Sequence, residues 1–418
     1  VRRAAALVLA AALWAAGPSA IGPSAAAPVF SDDGPDAAAY GRAEGYPIGK
    51  PSSGRAQGTL VGRFSHFDQL YRSRLVARAA TPSGFDYAPA EPVVTYRHQG
   101  AQKDLAGYLA TNPATGLLIL RGDTILYEHY QYGRTDRDRF TSMSMAKTIV
   151  GLLVGIAVAE GRIRSIDDPA GAYVPALAGS GYGGTRIRDL LHMASGIRFT
   201  EDYGGSDDSA RLMAGLFGRP GKPAADILRQ FNDRDAPPGT LFHYAGAETE
   251  TLGLVVAAAT GESLSSYLQS RIWGPIGAEA DATWVLDGHG QEVAPCCFNA
   301  TLRDYARLSR LLAQDGRWDG RQIIPRQWLL DATTVAPGDD FLAPGRVSRS
   351  TGYGYQLWIL KSPRRMFALV GIHGQQMFVD PASGLVMVTT SVRPQPRDPG
   401  SGEAFALWYA VVEQLGKG

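Results

Sequence analysis

The sequence predicts an α/β (α+β) fold: an antiparallel β-sheet built from both chain ends, flanked by helices, with an inserted, mostly helical subdomain. Three observations predict it. Residues 116–130 are two β-rich runs around an Arg121-Gly122-Asp123 turn, the pattern of a hairpin. Residues 354–360, 366–372, 376–380 and 385–391 are each β-like and separated by turn residues. Between about 140 and 330, apolar residues instead recur at helical spacing, over 187–193, 252–259, 264–272 and 302–312, cut by Gly and Pro. Strands at both ends with helices between them place the sheet on the termini and the helical subdomain at about 160–330.

The remaining elements follow in chain order. Residues 1–27 read as an export signal: Arg2-Arg3 is the positive region, residues 4–16 the apolar core, and 17–20 and 24–27 offer small-residue cleavage sites. The apolar run is shorter than an ordinary membrane span, and no cysteine near it offers a lipid anchor. The expectation is a secreted or periplasmic protein with no stable membrane anchor. Residues 28–100 are rich in Gly, Pro, Ser and Ala and read as an extended arm wrapping the body, with a short helix near 64–70. Residues 101–418 form the body, which closes with a helix over 402–415.

Composition narrows the function. The chain has 418 residues, 45% hydrophobic and 19% charged, which is globular and large enough to bury a core without cross-links. Net charge is +1, with no basic block and no acidic tail, so neither nucleic acid nor an anionic membrane surface is indicated. Oligomeric state is not readable. The only cysteines, Cys296 and Cys297, are adjacent. Consecutive Cα atoms lie closer than the usual disulfide range, so two buried thiols are expected. No metal-ligand spacing occurs, and neither a metal nor another cofactor is expected.

The chemistry centres on Ser144-Met145-Ala146-Lys147. Residues three apart on a helix share a face. A serine hydroxyl needs a base to become a nucleophile, and a lysine whose pKa is lowered by burial can be that base. Thr141 and Ser142 suit a helix N-terminus, and residues 148–156 continue as an almost wholly apolar helix. A lysine heading such a run is not expected to stay solvated. A second candidate is Tyr244, placed after the Pro237-Pro238-Gly239 turn and just before an apolar helix. Near an ammonium a tyrosine acts as a phenolate or a proton relay. The third is residues 371–381, where Gly371 and Gly374 permit close backbone approach, and a strand N–H there can join the Ser144 N–H in an oxyanion hole.

Other signals carry less. Residues 179–184 fit Gly-x-Gly-x-x-Gly but follow no strand and read as a surface loop. The Gly-x-Ser-x-Gly nucleophile elbow is missing. His373 is the histidine to watch, read first as a hydrogen-bonding support residue. Glu201-Asp202 and Asp207-Asp208 lie in a Gly-rich loop with two readings, a cover over the cleft that binds an amine or a solvated acidic loop, and the second is the expectation.

The order of serine-lysine helix, tyrosine turn and glycine strand resembles the serine β-lactamase and penicillin-binding-protein family over residues 105–416. The class C-like branch, with its esterases, D-aminopeptidases and 6-aminohexanoate-dimer hydrolases, is most similar. Residues 200–203, 296–307 and 371–375 look most like the 6-aminohexanoate-dimer hydrolase group. The resemblance implies Ser144 as acylated nucleophile, Lys147 as base and Tyr244 as relay to the leaving group. It implies an oxyanion hole from the N–H groups of Ser144 and Gln375, and substrate contacts from Tyr203, Gly246, Asn299, His373 and Gly374. Two departures matter. The family's Tyr-x-Asn is Tyr244-Ala245-Gly246, and its Lys-Thr-Gly strand has Ile372-His373-Gly374 instead. Both disfavour β-lactams and favour a small linear amide or ester. A carboxylesterase, a D-amino-acid peptidase, or a non-catalytic sensor of the same fold are the alternatives.

Overall fold

The computed structural model describes residues 26–54, 56–218 and 221–417. The expected export signal, residues 1–27, lies outside these residues, apart from Ala26 and Ala27.

The main sheet has nine strands among the described residues. Its order runs Val29–Phe30, Thr124–Tyr130, Ala114–Arg121, Leu385–Ser391, Gln375–Asp380, Phe367–Gly371, Trp358–Leu360, Thr351–Tyr353. Asp86–Tyr87 also pairs with Thr124–Tyr130. The body strands pair antiparallel, as expected, and they come from both chain ends. The arm adds the two parallel pairings, Val29–Phe30 and Asp86–Tyr87.

Alternation along the strands explains why the central ones read as continuous apolar runs. Leu117, Ile119, Phe378 and Met387 face the Glu403–Leu415 helix, packing on Leu407, Trp408 and Val411. Leu118, Leu120, Met377 and Val388 face the opposite core, with the Met145–Ala159 and Leu302–Ala313 helices. Both faces are covered, so hydrophobic residues occupy both phases of the strand period.

A second sheet, less legible in the sequence, positions the site. It runs Ser73–Val76, Ala282–Val285, Phe298–Ala300, Phe140–Thr141. Thr141 pairs with Asn299, so the turn before Ser144 lies beside the Cys296-Cys297 segment. Ser142 locks this junction: its N–H donates to the Phe298 carbonyl at 2.7 Å, and its Oγ accepts from the Phe298 N–H at 3.2 Å.

Three expectations are corrected. Residues 354–360 are not one strand. Gln356 has φ +60°, and its buried side chain ties Leu190 to Thr249 across the interior, while its carbonyl accepts from Thr148. Residues 179–184 are not simply a surface loop. Tyr182 is fully buried, and a Cβ at Gly183 would stand 1.9 Å from the Leu177 carbonyl oxygen. Cys296 and Cys297 are not two free thiols but are joined as a vicinal disulfide. Cys297 adopts φ +70°, a left-handed conformation that steric rules rarely allow a non-glycine residue and that spacing alone did not suggest. No helix among the described residues is long and apolar enough to cross a membrane.

Candidate active site

Ser144 occupies the N-cap of the Met145–Ala159 helix, at the positive end of its dipole. The residue before it, Met143, has φ +43°, so the turn into Ser144 is tight. Lys147, one turn on, is 3% exposed. Its Nζ donates to Ser144 Oγ at 3.1 Å and to the Pro295 carbonyl at 2.9 Å. It also lies 5.1 Å from the Tyr244 ring centroid. Burial lowers the Lys147 pKa, and the Glu201 charge opposes that shift. Desolvation thus favours the neutral amine that a base requires.

Tyr244 enters from the segment before the Gly246–Thr260 helix and stacks on Trp358, with ring centroids 5.7 Å apart. Its side chain hydrogen-bonds Ser144. Burial raises the phenol well above its ordinary range, Glu201 adds to this, and the Ser144 hydrogen bond acts the other way. Of the two roles the sequence allowed, a resting phenolate is therefore disfavoured and a neutral proton carrier favoured.

Gly371 ends the strand that meets Ser144. A Cβ there would stand 2.6 Å from the Ser142 carbonyl oxygen and 3.0 Å from the Ser144 nitrogen, so only glycine permits this approach.

Two cavities meet at Ser144. The first, about 330 Å³, is lined by Ser144, Lys147, Gly246, the cysteine pair and the arm residues Arg63, Phe64 and Phe67. That is the small end of the range for ligand sites. The second is lined by Ser144, Tyr244, Trp358, Gly371, Ile372, Gly374 and Arg397. Tyr203 lines both.

Ser144, Lys147, Tyr244, Tyr203, Gly246, His373 and Gly374 are thus brought together. His373 is buried, takes φ +62°, pairs Nδ1 with the Arg393 carbonyl and sits edge-on to Phe64. Two residues are not brought in. Gln375 lines neither cavity; it pairs with Gly371 across the hairpin, and its amide bonds Ser391. It is Ile372 that borders both cavities. Asn299 is fully buried in its strand, donating to Thr283 and to the Cys297 carbonyl, so it supports the cysteine segment and lines neither cavity.

Three charged residues border the site in ways the sequence reading did not expect: two acids it took as solvated, and an arginine it did not single out. Glu201 is not solvated: it is buried, its Oε2 accepts from the Gly246 N–H at 2.6 Å and its Oε1 from the Tyr203 hydroxyl at 2.7 Å. Asp207 is likewise buried, accepting from the Asp202, Tyr203 and Ala210 N–H groups. Arg397, from the loop after the last strand, returns a cation to the cleft, donating to the Glu201 carbonyl at 2.6 Å with its guanidinium over the Tyr203 ring. The Gly-rich acidic stretch marked both acids without showing that they are buried, and no local signal marks Arg397.

A buried lysine against a helix-capping serine, on a sheet made from both chain ends, defines a serine hydrolase with a β-lactamase-like fold. The β-lactamase family model matches residues 103–411, and the chain belongs to that family. The 6-aminohexanoate-dimer hydrolase of Paenarthrobacter ureafaciens is 31% identical over 335 residues, covering 77% of this chain and 84% of that protein. A Bacillus anthracis structure, provisionally described as a 6-aminohexanoate-dimer hydrolase, superposes with a TM-score of 0.77 at 25% identity, covering 87% of this chain and 96% of that one. A D-stereospecific amidohydrolase from Streptomyces shares the fold, with a TM-score of 0.53 at 18% identity over 73% of this chain and 96% of that one.

Proposed function

We propose that the protein is an exported hydrolase of small linear amides or esters that works through an acyl-enzyme on Ser144. Lys147 takes the serine proton as Oγ attacks the carbonyl carbon. The Ser144 and Ile372 N–H groups receive the developing oxyanion, with Ile372 replacing Gln375 in that role. Tyr244 passes the proton to the leaving nitrogen or oxygen, the C–N or C–O bond breaks, and water repeats the sequence to free the acid. Tyr244 borders the second cavity and not the first. The leaving group therefore occupies the second cavity and the acyl group the first.

The observation that carries this reading is the buried Lys147 amine 3.1 Å from Ser144 Oγ. A non-catalytic sensor has no use for a desolvated amine at that distance. Likeness to the dimer hydrolase favours an amide, and the esterase reading stands beside it because the same groups cleave esters more easily. Export rests on the leader sequence, and a disulfide suits an oxidising compartment. The test is a panel of short linear amides, p-nitrophenyl esters and a chromogenic cephalosporin, run on the protein and on Ser144→Ala. Turnover of an amide or ester that is lost in Ser144→Ala is expected. Turnover that survives in Ser144→Ala, or turnover of none of them, overturns the proposal.

A further inference from the structure

The acyl cavity has an end wall that the catalytic body does not make. The Leu60–Ser65 helix of the N-terminal arm places Arg63 in it. Arg63 is 5% exposed. Its Nη2 donates to the Lys50 carbonyl, while its Nε is buried with no hydrogen-bond partner. Among the described residues, no carboxylate forms an ion pair with it. A buried guanidinium without a counter-charge is costly, and a bound carboxylate would supply what is missing, with two parallel hydrogen bonds.

The rest of the cavity agrees. Together with Ser144 and Arg63, five large apolar side chains line it: Phe64, Phe67, Met143, Met213 and Phe217. The two acids that border it are already engaged, Glu201 by Gly246 and Tyr203, and Asp207 by three backbone N–H groups. An amine at the end of an acyl chain would find both carboxylates spoken for and would face a cation.

We infer that Arg63 is a specificity residue that selects acyl groups ending in a carboxylate, so that the substrates are monoamides or monoesters of linear dicarboxylic acids. This rests on the acyl-enzyme reading above. The arm thereby becomes part of the substrate site.

The test compares mono-p-nitrophenyl adipate with p-nitrophenyl hexanoate and p-nitrophenyl 6-aminohexanoate, on the full protein and on Arg63→Gln and Arg63→Lys. Rates are normalised to serine titrated by a fluorophosphonate, so that misfolded protein does not count. The protein should favour the adipate over the hexanoate in kcat/KM by at least about tenfold, the size of a charged hydrogen-bonded pair. Arg63→Gln should collapse that ratio by a similar factor, and Arg63→Lys should fall between. A preference for the amino ester or the neutral ester, or an unchanged ratio in Arg63→Gln, overturns the inference. Should Arg63→Gln yield no titratable serine, the preference of the unsubstituted protein and the Arg63→Lys ratio decide it. A failure to titrate Ser144 in the unsubstituted protein overturns the acyl-enzyme reading and this inference together, which separates the two failures.

Discussion

Tyr244 illustrates how one side chain's surroundings set its task. Its raised phenol pKa means it holds its proton until Lys147 has taken the serine's, so it is suited to hand a proton on. An amine leaving group needs that proton, whereas p-nitrophenolate leaves without it. Tyr244→Phe should therefore cut amide hydrolysis by about 10²- to 10⁴-fold and spare p-nitrophenyl ester hydrolysis. Equal losses in kcat/KM on both would assign Tyr244 to binding instead. Lys147 makes a second prediction. It is a base only when neutral, and burial lowers its pKa below the ordinary lysine value of about 10.4. Activity should rise with pH along an acidic limb whose midpoint lies below that value. Lys147→Arg, always charged, should be inactive at every pH, and a pH–rate profile with no such limb would count against the assignment. Ser144, Lys147 and Tyr244 were legible because each sits in a local pattern, a helix start or a turn. Glu201, Arg63 and Arg397 were not, because a charge acquires a role only from neighbours far away in sequence. Gln375 and Asn299 line neither cavity for a related reason: a motif gives a register along the chain but not which face of a hairpin meets Ser144.

Among elements, the strand ending at Gly371 has the least room for change. Gly371→Ala would push a methyl group against the Ser142 carbonyl and the Ser144 nitrogen, both backbone atoms with no rotamer to change. Displacing an oxyanion donor costs about 10²- to 10³-fold in kcat, so a loss of that order with little change in KM is expected. A kcat within twofold of the unsubstituted protein would show that this contact does not shape the oxyanion site. The segment holding Lys147 from the other side depends on Glu250, a fully buried carboxyl in the Gly246–Thr260 helix that accepts from the Ala294 N–H at 3.0 Å. Burial pushes its pKa up to about 8. The unfolded carboxyl titrates near its ordinary value of about 4.3. Its contribution to stability is therefore complete below that pH and is lost as pH rises towards 8. Glu250→Gln should flatten the pH dependence of the urea midpoint across that window, and parallel curves for the two proteins would contradict this. The hairpin and the long helices were legible from periodicity. The second sheet was less so, because strands of two to four residues, such as Phe140–Thr141 and Phe298–Ala300, are too short to show a period.

The whole molecule joins these parts through its arm. Two arm strands extend the main sheet, one extends the second sheet, and an arm helix walls the first cavity at Ser144. The fold class and the origin of the sheet in both chain ends were readable because both faces of the sheet are covered and its strands are continuously apolar; the strand order was not. The arm's role was hidden by its Gly- and Pro-rich composition. The strand beside Ser144 has no lysine, and Arg397 approaches from a solvent-exposed loop, bound to the Glu201 carbonyl. Cephalosporins should consequently be turned over poorly or not at all, and a kcat/KM near or above about 10⁶ M⁻¹s⁻¹ would contradict this. The central claim is that Ser144 carries the acyl group. The most direct measurement is mass spectrometry of the protein after reaction with a fluorophosphonate. One adduct, on the peptide containing Ser144, is the expected result, with none on Ser144→Ala. An adduct on another serine, with Ser144→Ala still hydrolysing the same substrates, would contradict it.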